Sequence, residues 1–430
     1  MKTKCQLPKR LRKPLKWTGI LIAGYFVLNT IYFGYANIDK RTGICKFYWS
    51  GIDDMGSTLK PSGFLINEPY ITHLNGVDGP YVFGSRSISV NQQNELVEQS
   101  LDSNRMITVK TGMNVFPSFT VHLKDHYTIP PGQYERPVHL FAISDIEGNL
   151  TGLYSILLSN SIIDKKGNWI FGHGHLVLNG DLFDRGSQVT PLLWFVYHLE
   201  NQAEENGGCV HTILGNHDIM NLSGNASDND HKYIEIAKRL SGQSDWDKAT
   251  RFLYSEKSEI GQWLRSKNII EKIGDDIFVH GGLNKFHVAQ KYSIADMNTI
   301  ARQYYGKPID KNTELAEREK LILGSINSPY WDRKLSLDWK IKWAYLFKGI
   351  LVKKTTPEAL GDILSFYKAR HMIIGHSPVG DISTGYGSKV IKIDVAHGEV
   401  LNSGRTRALM IEDGAYYKVN DTGQKQPLLL

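Results

Sequence analysis

The stretch Gly180-Asp181-Leu182-Phe183-Asp184-Arg185-Gly186 packs two carboxylates and a guanidinium between two glycines. It directly follows the apolar run Leu176-Val177-Leu178, which reads as a buried strand. A carboxylate such as Asp181 can offer oxygens to two cations at once, as a binuclear metal site requires. Arg185 can clamp a phosphate with two parallel hydrogen bonds. By itself the stretch also fits a polar turn with a surface ion pair.

The same arrangement recurs along the chain. Val138-His139-Leu140-Phe141-Ala142-Ile143 runs into Ser144-Asp145-Ile146-Glu147-Gly148-Asn149, and Cys209-Val210-His211-Thr212-Ile213-Leu214 into Gly215-Asn216-His217-Asp218. Ile277-Phe278-Val279 runs into His280-Gly281-Gly282, and Met372-Ile373-Ile374 into Gly375-His376-Ser377-Pro378. Five strand-like runs each end in Gly, Asp, Asn or His. Open α/β sheets bind ligands just outside the carboxyl ends of their strands, and a solvated face would not place polar residues so regularly.

The order of these motifs resembles the calcineurin-like metallophosphoesterases, and within them the phosphoprotein phosphatase branch in its bacterial, Shewanella-like form. The branch pattern is Gly-Asp-x-His-Gly, Gly-Asp-x-x-Asp-Arg-Gly, Gly-Asn-His-Glu/Asp, His-Gly-Gly and Gly-His-Ser/Thr. Ser328-Pro329-Tyr330-Trp331-Asp332-Arg333 is similar to the segment that delivers the branch's second phosphate-binding arginine. The resemblance spans roughly residues 138–412 and implies two divalent metal ions with a bridging water activated as hydroxide. It places one metal on Asp145, Glu147 and Asp181, and the other on Asp181, Asn216, His280 and His376. Arg185, Asn216 and Arg333 would bind the phosphate. His217, oriented by Asp184, would protonate the leaving alkoxide, a role suited to a group titrating near working pH.

Glu147 departs from the pattern, which has histidine there. A carboxylate adds negative charge and favours harder cations, Mn²⁺ first and also Fe or Mg²⁺, over Zn²⁺. The departure leaves two readings open: an altered metal ligand, or a lost first metal in a catalytically silent binding protein.

Around these motifs, the coarse pattern is strand, helix, strand, helix, strand. Leu150, Leu153, Tyr154, Leu157 and Leu158 have helical spacing, and an amphipathic run covers about 189–201. The expected fold is α/β, a metallophosphoesterase β-sandwich flanked by helices, with the strands after His376 completing a second sheet. Residues 138–430 form the expected catalytic domain, with a helical insert at about 231–272 that could cap the site. A second helical stretch is expected over 291–323. Residues 37–137 are turn-rich, with alternating segments at 107–110 and 119–123; they read as a small β-rich accessory region, a stalk or packed on the core. His122, His126, His173 and His175 read as structural rather than ligating. Cys5, Cys45 and Cys209 show no metal-ligand spacing and no disulfide framework.

The net charge of +6 does not imply a nucleic-acid surface, because seven basic residues lie in the arm 1–16. Residues 17–36 carry no charge and have the length to cross a bilayer as a helix. The basic arm puts the N-terminus in the cytoplasm and the catalytic domain in the periplasm or outside the cell; a cleaved signal would change attachment but not compartment. The resulting expectation is a membrane-anchored phosphatase acting on phosphomonoesters, with phosphoserine and phosphothreonine proteins as the class suggested by the resemblance. A nucleotide or dinucleoside polyphosphate hydrolase is the alternative within enzymes.

Overall fold

The computed structural model describes residues 76–309, 313–324, 326–347 and 350–430, together with Pro14, residues 16–25, Val27, Leu74 and two short strands. Those strands, Ile38–Asp39 (β1) and Ile44–Cys45 (β2), pair antiparallel. They belong to a first unit, Met1–Asn75, in which residues 16–25 are helical. Among the described residues no helix is long and apolar enough to cross a membrane. Residue 26 and residues 28–36 of the expected span lie outside the described residues.

The second unit runs Gly76–Leu430. It begins with a three-stranded antiparallel sheet, Asp78–Phe83 (β3), Arg86–Val90 (β4) and Leu96–Ser100 (β5). A hairpin of Met106–Lys110 (β6) and Ser118–His122 (β7) follows. In the hairpin Ile107, Val109, Phe119 and Val121 are buried and the residues between them exposed, as period-two alternation requires. The buried face meets the helix Val189–Glu205: Phe116 and Phe119 stand edge-on to Phe195 at 5.4 and 5.5 Å. Trp194 Nε1 donates to the Pro80 carbonyl at 2.8 Å. This helix is apolar around most of its first three turns because it is covered on both sides. The accessory strands are therefore packed on the core rather than held off as a stalk.

Two six-stranded sheets make the sandwich. The remaining strands, in chain order, are Gln133–Tyr134 (β8), His139–Ile143 (β9), His175–Asn179 (β10), Cys209–Ile213 (β11), Ile270–Ile273 (β12), Asp276–Val279 (β13), His371–Ile374 (β14), Ser383–Gly385 (β15), Val390–Lys392 (β16), Arg407–Glu412 (β17), Ala415–Asn420 (β18) and Lys425–Pro427 (β19). The first sheet has the order β11-β10-β9-β17-β18-β19 and the second β15-β16-β14-β13-β12-β8. Strands β9, β10 and β11 are mutually parallel, as are β13, β14 and β16. Between the sheets, Leu140, Ala142, Val177 and Ile213 meet Phe278, Ile373 and Ile391 in one core.

Two expectations are corrected. Strand β17 does not join the second sheet; it lies antiparallel to β9 in the first. The helical insert occupies His231–Ser241, Trp246–Leu253 and Glu259–Arg265, but its last residues are strand β12. The β-branched run Ile269-Ile270, with Ile273 beyond it, fits the sheet interior better than a helix. The insert packs on the accessory strands: buried Lys232 pairs with buried Asp78.

His287, on the short helix Lys285–Ala289, is fully buried, and burial holds its pKa down to about 4. Its ring accepts from the Asn284 amide at 3.2 Å and reaches the Leu321 carbonyl at 3.3 Å, so the neutral form is the one that fits. Between pH 6.5 and pH 4 the unfolded chain takes up a proton here that the fold refuses, and stability is lost as the pH falls through that window. The His287→Gln variant lacks this loss, so its stability deficit against wild type should shrink by roughly 3 kcal/mol between pH 7 and pH 4. Urea unfolding of both proteins at the two pH values checks this; a constant deficit contradicts a neutral buried His287.

Candidate active site

Five of the strands just described end together. From the first sheet come the loops after β9, β10 and β11; from the second come those after β13 and β14. Asp145, Glu147, Asp181, Asp184, Arg185 and His376 all have left-handed backbones, with φ between 48° and 76°. Such conformations cost on the order of 1–3 kcal/mol each and persist only where the surroundings fix them. Here the fixing contacts are visible. The Asp145 amide donates to the Gly180 carbonyl at 3.0 Å, and the Glu147 amide to the Asp181 carbonyl at 2.9 Å. The loops after β9 and β10 are thus sewn to each other.

Asp181, 2% exposed, is the meeting point. Its Oδ1 accepts from the His217 amide at 2.9 Å, and its Oδ2 lies 2.9 Å from His280 Nε2. The same His280 nitrogen is 3.1 Å from Asn216 Oδ1, while its Nδ1 faces the Asn179 carbonyl at 2.9 Å. Asp145 accepts from Ser144 Oγ at 2.6 Å and from the His376 amide. The His280 and His376 rings stand 5.1 Å apart. Glu147 pairs with Arg185, whose side chain is 57% exposed at the mouth. Arg185 Nη2 lies 3.4 Å from His217 Nε2. Arg333 Nη2 is 3.5 Å from His376 Nδ1, and Trp331 stands edge-on to the His376 ring at 5.5 Å. The Pro329 carbonyl accepts from the Gly281 and Gly282 amides at 2.8 and 2.9 Å, tying the arginine-bearing loop to the end of β13.

His217 opens the helix Asn216–Ser223. Its Nδ1 is 2.6 Å from Asp184 Oδ2, and Asp184 Oδ1 accepts from Asn221 Nδ2 at 2.7 Å. Burial disfavours an imidazolium at His217, but the Asp184 hydrogen bond and the charges of Asp181 and Asp184 outweigh it and lift the pKa to about 9. The ring therefore carries a proton at neutral pH, with Nε2 facing the mouth.

All the residues singled out in sequence thus converge. Others were not singled out. Asp394, just past β16, is buried, and burial together with the Asp145 charge pushes its carboxyl up to about 9. Its signal was the same apolar run followed by a polar residue, Val390-Ile391-Lys392-Ile393-Asp394. Asp218 accepts from the amides of Gly215, Asp181, Leu182 and Phe183, which fixes the whole Asp181 loop. Nothing in the spacing separates that clamp from a ligand.

Whether the donors fit metal ions is answered by what they leave unmet. Asn216 Nδ2 and His376 Nε2 are buried without a partner. Asp145, Asp181, Asp218 and Asp394 crowd one pocket, and although burial opposes it, the Asp181 and Asp145 carboxylates hold His280 protonated up to about 10. A cation there would replace that proton. The donor atoms of Asp181, His280 and His376 lie within 4.8 Å of one another, as do those of Glu147, Asp181 and His217. The residues fit divalent metals.

Gly215 shows how tightly the site is built. A Cβ there would sit against Asp181 Oδ1 and the Asp181 amide. Gly215→Ala should therefore displace Asp181 and lower turnover at least tenfold, with far-ultraviolet circular dichroism unchanged. Wild-type turnover in this variant would mean that Asp181 tolerates movement.

Comparison with known proteins agrees with this architecture. Residues 138–380 match the family model of the calcineurin-like phosphoesterases, and the chain belongs to that family. More narrowly, it is 36% identical over 322 residues to Shewanella-like protein phosphatase 2 of Arabidopsis thaliana, covering 65% of this chain and 76% of the relative. It is 28% identical over 246 residues to Shewanella-like protein phosphatase 1 of Plasmodium berghei, covering 55% of this chain and 60% of that protein's length. Among solved structures, the cold-active protein-tyrosine phosphatase of a psychrophilic Shewanella superposes with a TM-score of 0.68 at 28% identity, over 82% of this chain and 98% of the other.

Proposed function

We propose that this chain is a binuclear metal phosphatase that hydrolyses phosphomonoesters on proteins. The observation that carries the reading is Asp181, one buried carboxylate that belongs to the Asp181/His280/His376 donor group and whose backbone carbonyl holds the Glu147 amide, so that its loop joins both halves of the centre. Asp145, Glu147 and Asp181 would hold one divalent ion, and Asp181, Asn216, His280 and His376 the other; Mn²⁺ suits this oxygen-rich set, with Fe, Mg²⁺ or Zn²⁺ as other occupants. Such ions supply charge neutralisation on the phosphoryl oxygens and a nucleophile at neutral pH.

The chain's own residues do the rest. Arg185, beside His217, and Arg333, beside His376, grip the phosphoryl oxygens, Arg185 exchanging its Glu147 partner for substrate. Asn216 Nδ2, buried and unpartnered, has a hydrogen bond to offer. His217 donates its Nε2 proton to the departing oxygen while Asp184 holds Nδ1 and steadies the tautomer.

The relatives, named protein phosphatase and protein-tyrosine phosphatase, support phosphoproteins as the substrate class. A panel of phosphoserine, phosphothreonine and phosphotyrosine peptides with mononucleotides and dinucleoside polyphosphates tests it. The expected result is a kcat/KM at least tenfold higher for one peptide class; preference for the nucleotides would overturn the protein-substrate reading. The basic arm before residues 17–36 supports an N-terminal anchor with the catalytic unit outside the cytoplasm. A C-terminal reporter should then be active only outside the cytoplasm, and cytoplasmic activity would reverse that orientation.

A further inference from the structure

At the other end of β10 and β11, away from the phosphatase site, lies a second group of ligating side chains. Residues 209 and 211 share one face of β11 because side chains alternate along a strand. The parallel pairing of His175 with Cys209 brings His175 onto that face as well. Donor atoms of His175, Cys209 and His211 lie within 4.8 Å of one another. His175 and Cys209 are partly exposed, while His211 is buried. With β10 rising about 3.3 Å per residue, the group is roughly 15 Å or more from Asp181.

The surroundings are those of a prepared ligand. His211 Nδ1 is 2.6 Å from Glu271 Oε2 on β12 of the opposite sheet. Glu271 Oε1 accepts from Asn268 Nδ2 at 2.8 Å, and Asn268 Oδ1 accepts from Arg302 at 2.5 Å. Metal-bound histidines commonly donate their second nitrogen to a carboxylate fixed in this way. Burial opposes a charged His211, but the Glu271 carboxylate outweighs it and lifts the pKa to about 10, and His211 Nε2 stands 2.9 Å from His175 Nδ1. The Tyr134 ring closes one side, edge-on to His211 at 4.4 Å. A contacting histidine pair beside a cysteine, with one ring backed by a buried carboxylate, is an unusual way to fill a sheet edge.

We infer that His175, Cys209 and His211 form a second metal site, selective for a soft-to-borderline cation of the Zn²⁺ type, that clips β10 to β11 at the end opposite the phosphatase centre. Two imidazoles and a thiolate suit Zn²⁺ and disfavour Mn²⁺ or Mg²⁺. Tetrahedral Zn–N and Zn–S bonds need donor atoms about 3.3–3.7 Å apart. The His175–His211 contact must open slightly to reach that spacing, and small ring rotations suffice. On binding, the Cys209 thiol proton and the His211 Nε2 proton are released to solvent, the Nδ1 proton stays with Glu271, and neutral His175 offers the Nδ1 lone pair that faced His211. The fourth position is left for water. The spacing of these residues, one on β10 and two on β11, carried no such signal in sequence, because strand pairing alone brings them together. This inference stands apart from the proposed phosphatase activity.

Cobalt(II) separates the two sites, because a thiolate ligand gives an intense near-ultraviolet charge-transfer band and the phosphatase centre contains no cysteine. The full chain carrying Cys5→Ser and Cys45→Ser should develop that band on Co²⁺ addition, saturating near one equivalent, and stoichiometric Zn²⁺ should abolish it. Adding Cys209→Ser should remove the band while leaving Mn²⁺-supported turnover of an aryl phosphate within about twofold, which shows the fold intact. As a measurement independent of any variant, Zn²⁺ should slow alkylation of Cys209 at least tenfold, whereas Mn²⁺ should not. Absence of the band, its survival in Cys209→Ser, or unchanged alkylation with Zn²⁺ would each overturn the site.

Discussion

Asp181→Asn should abolish turnover, lowering kcat for phosphomonoesters at least about a thousandfold while the protein stays folded. The substitution removes one negative charge from the residue that touches both halves of the centre, the His217 amide through Oδ1 and His280 through Oδ2. An amide can replace a hydrogen bond but cannot share charge between two cations, so the second consequence is loss of metal. Mn²⁺ stoichiometry should fall by about one ion or more, whereas Asp145→Asn, at one side of the pocket, should spare the ion held by Asn216, His280 and His376. Atomic emission on dialysed protein reads this directly. Should Asp145→Asn weaken both ions more than Asp181→Asn does, the shared role belongs to Asp145 instead.

The second large effect concerns the leaving group. His217→Asn removes the proton held at Nε2, and general-acid catalysis is worth about 10²–10⁴ in rate. That loss should depend on how much the departing oxygen needs the proton. Alkyl phosphates, whose alkoxides are strongly basic, should lose the full amount. An activated aryl phosphate should lose at least about tenfold less. Asp184→Asn should move in the same direction with a smaller loss, because it disturbs the tautomer while the ring remains. The pH profile gives a third readout. The Asp184 hydrogen bond raises the His217 pKa against the effect of burial, so the activity that depends on its proton declines on the alkaline side of the profile. The basic limb should therefore disappear in His217→Asn. Equal losses for both substrates would assign His217 to phosphate binding rather than proton donation.

How far the sequence carried differs between site and fold. Asp145, Asp181, Asn216, His280 and His376 were legible because each follows an apolar strand at its carboxyl end, and period and polarity report that locally. Which sheet each strand joins is a matter of long-range pairing. Chain order alone would place β17 in the second sheet beside β16, whereas it pairs antiparallel with β9. Asp394 is hidden for a related reason: in sequence it resembles the end of an ordinary strand, and only its burial beside the Asp145 charge marks it. Asp218 was seen but given no role, since a carboxylate that clamps four amides has the same spelling as one that binds a metal. The accessory strands were legible as strands from the alternation of Ile107, Val109, Phe119 and Val121, but the helix that covers them lies some seventy residues further on.

The most direct test of the binuclear centre is a Mn²⁺ titration of chelator-stripped protein, with bound metal and aryl phosphate turnover followed together. Mn²⁺ avoids the cysteine-containing group, so binding should saturate at about two ions per chain and turnover should rise with occupancy of the second. Full turnover in the stripped protein, or saturation of binding and activity at a single ion, would contradict a centre built around a shared Asp181.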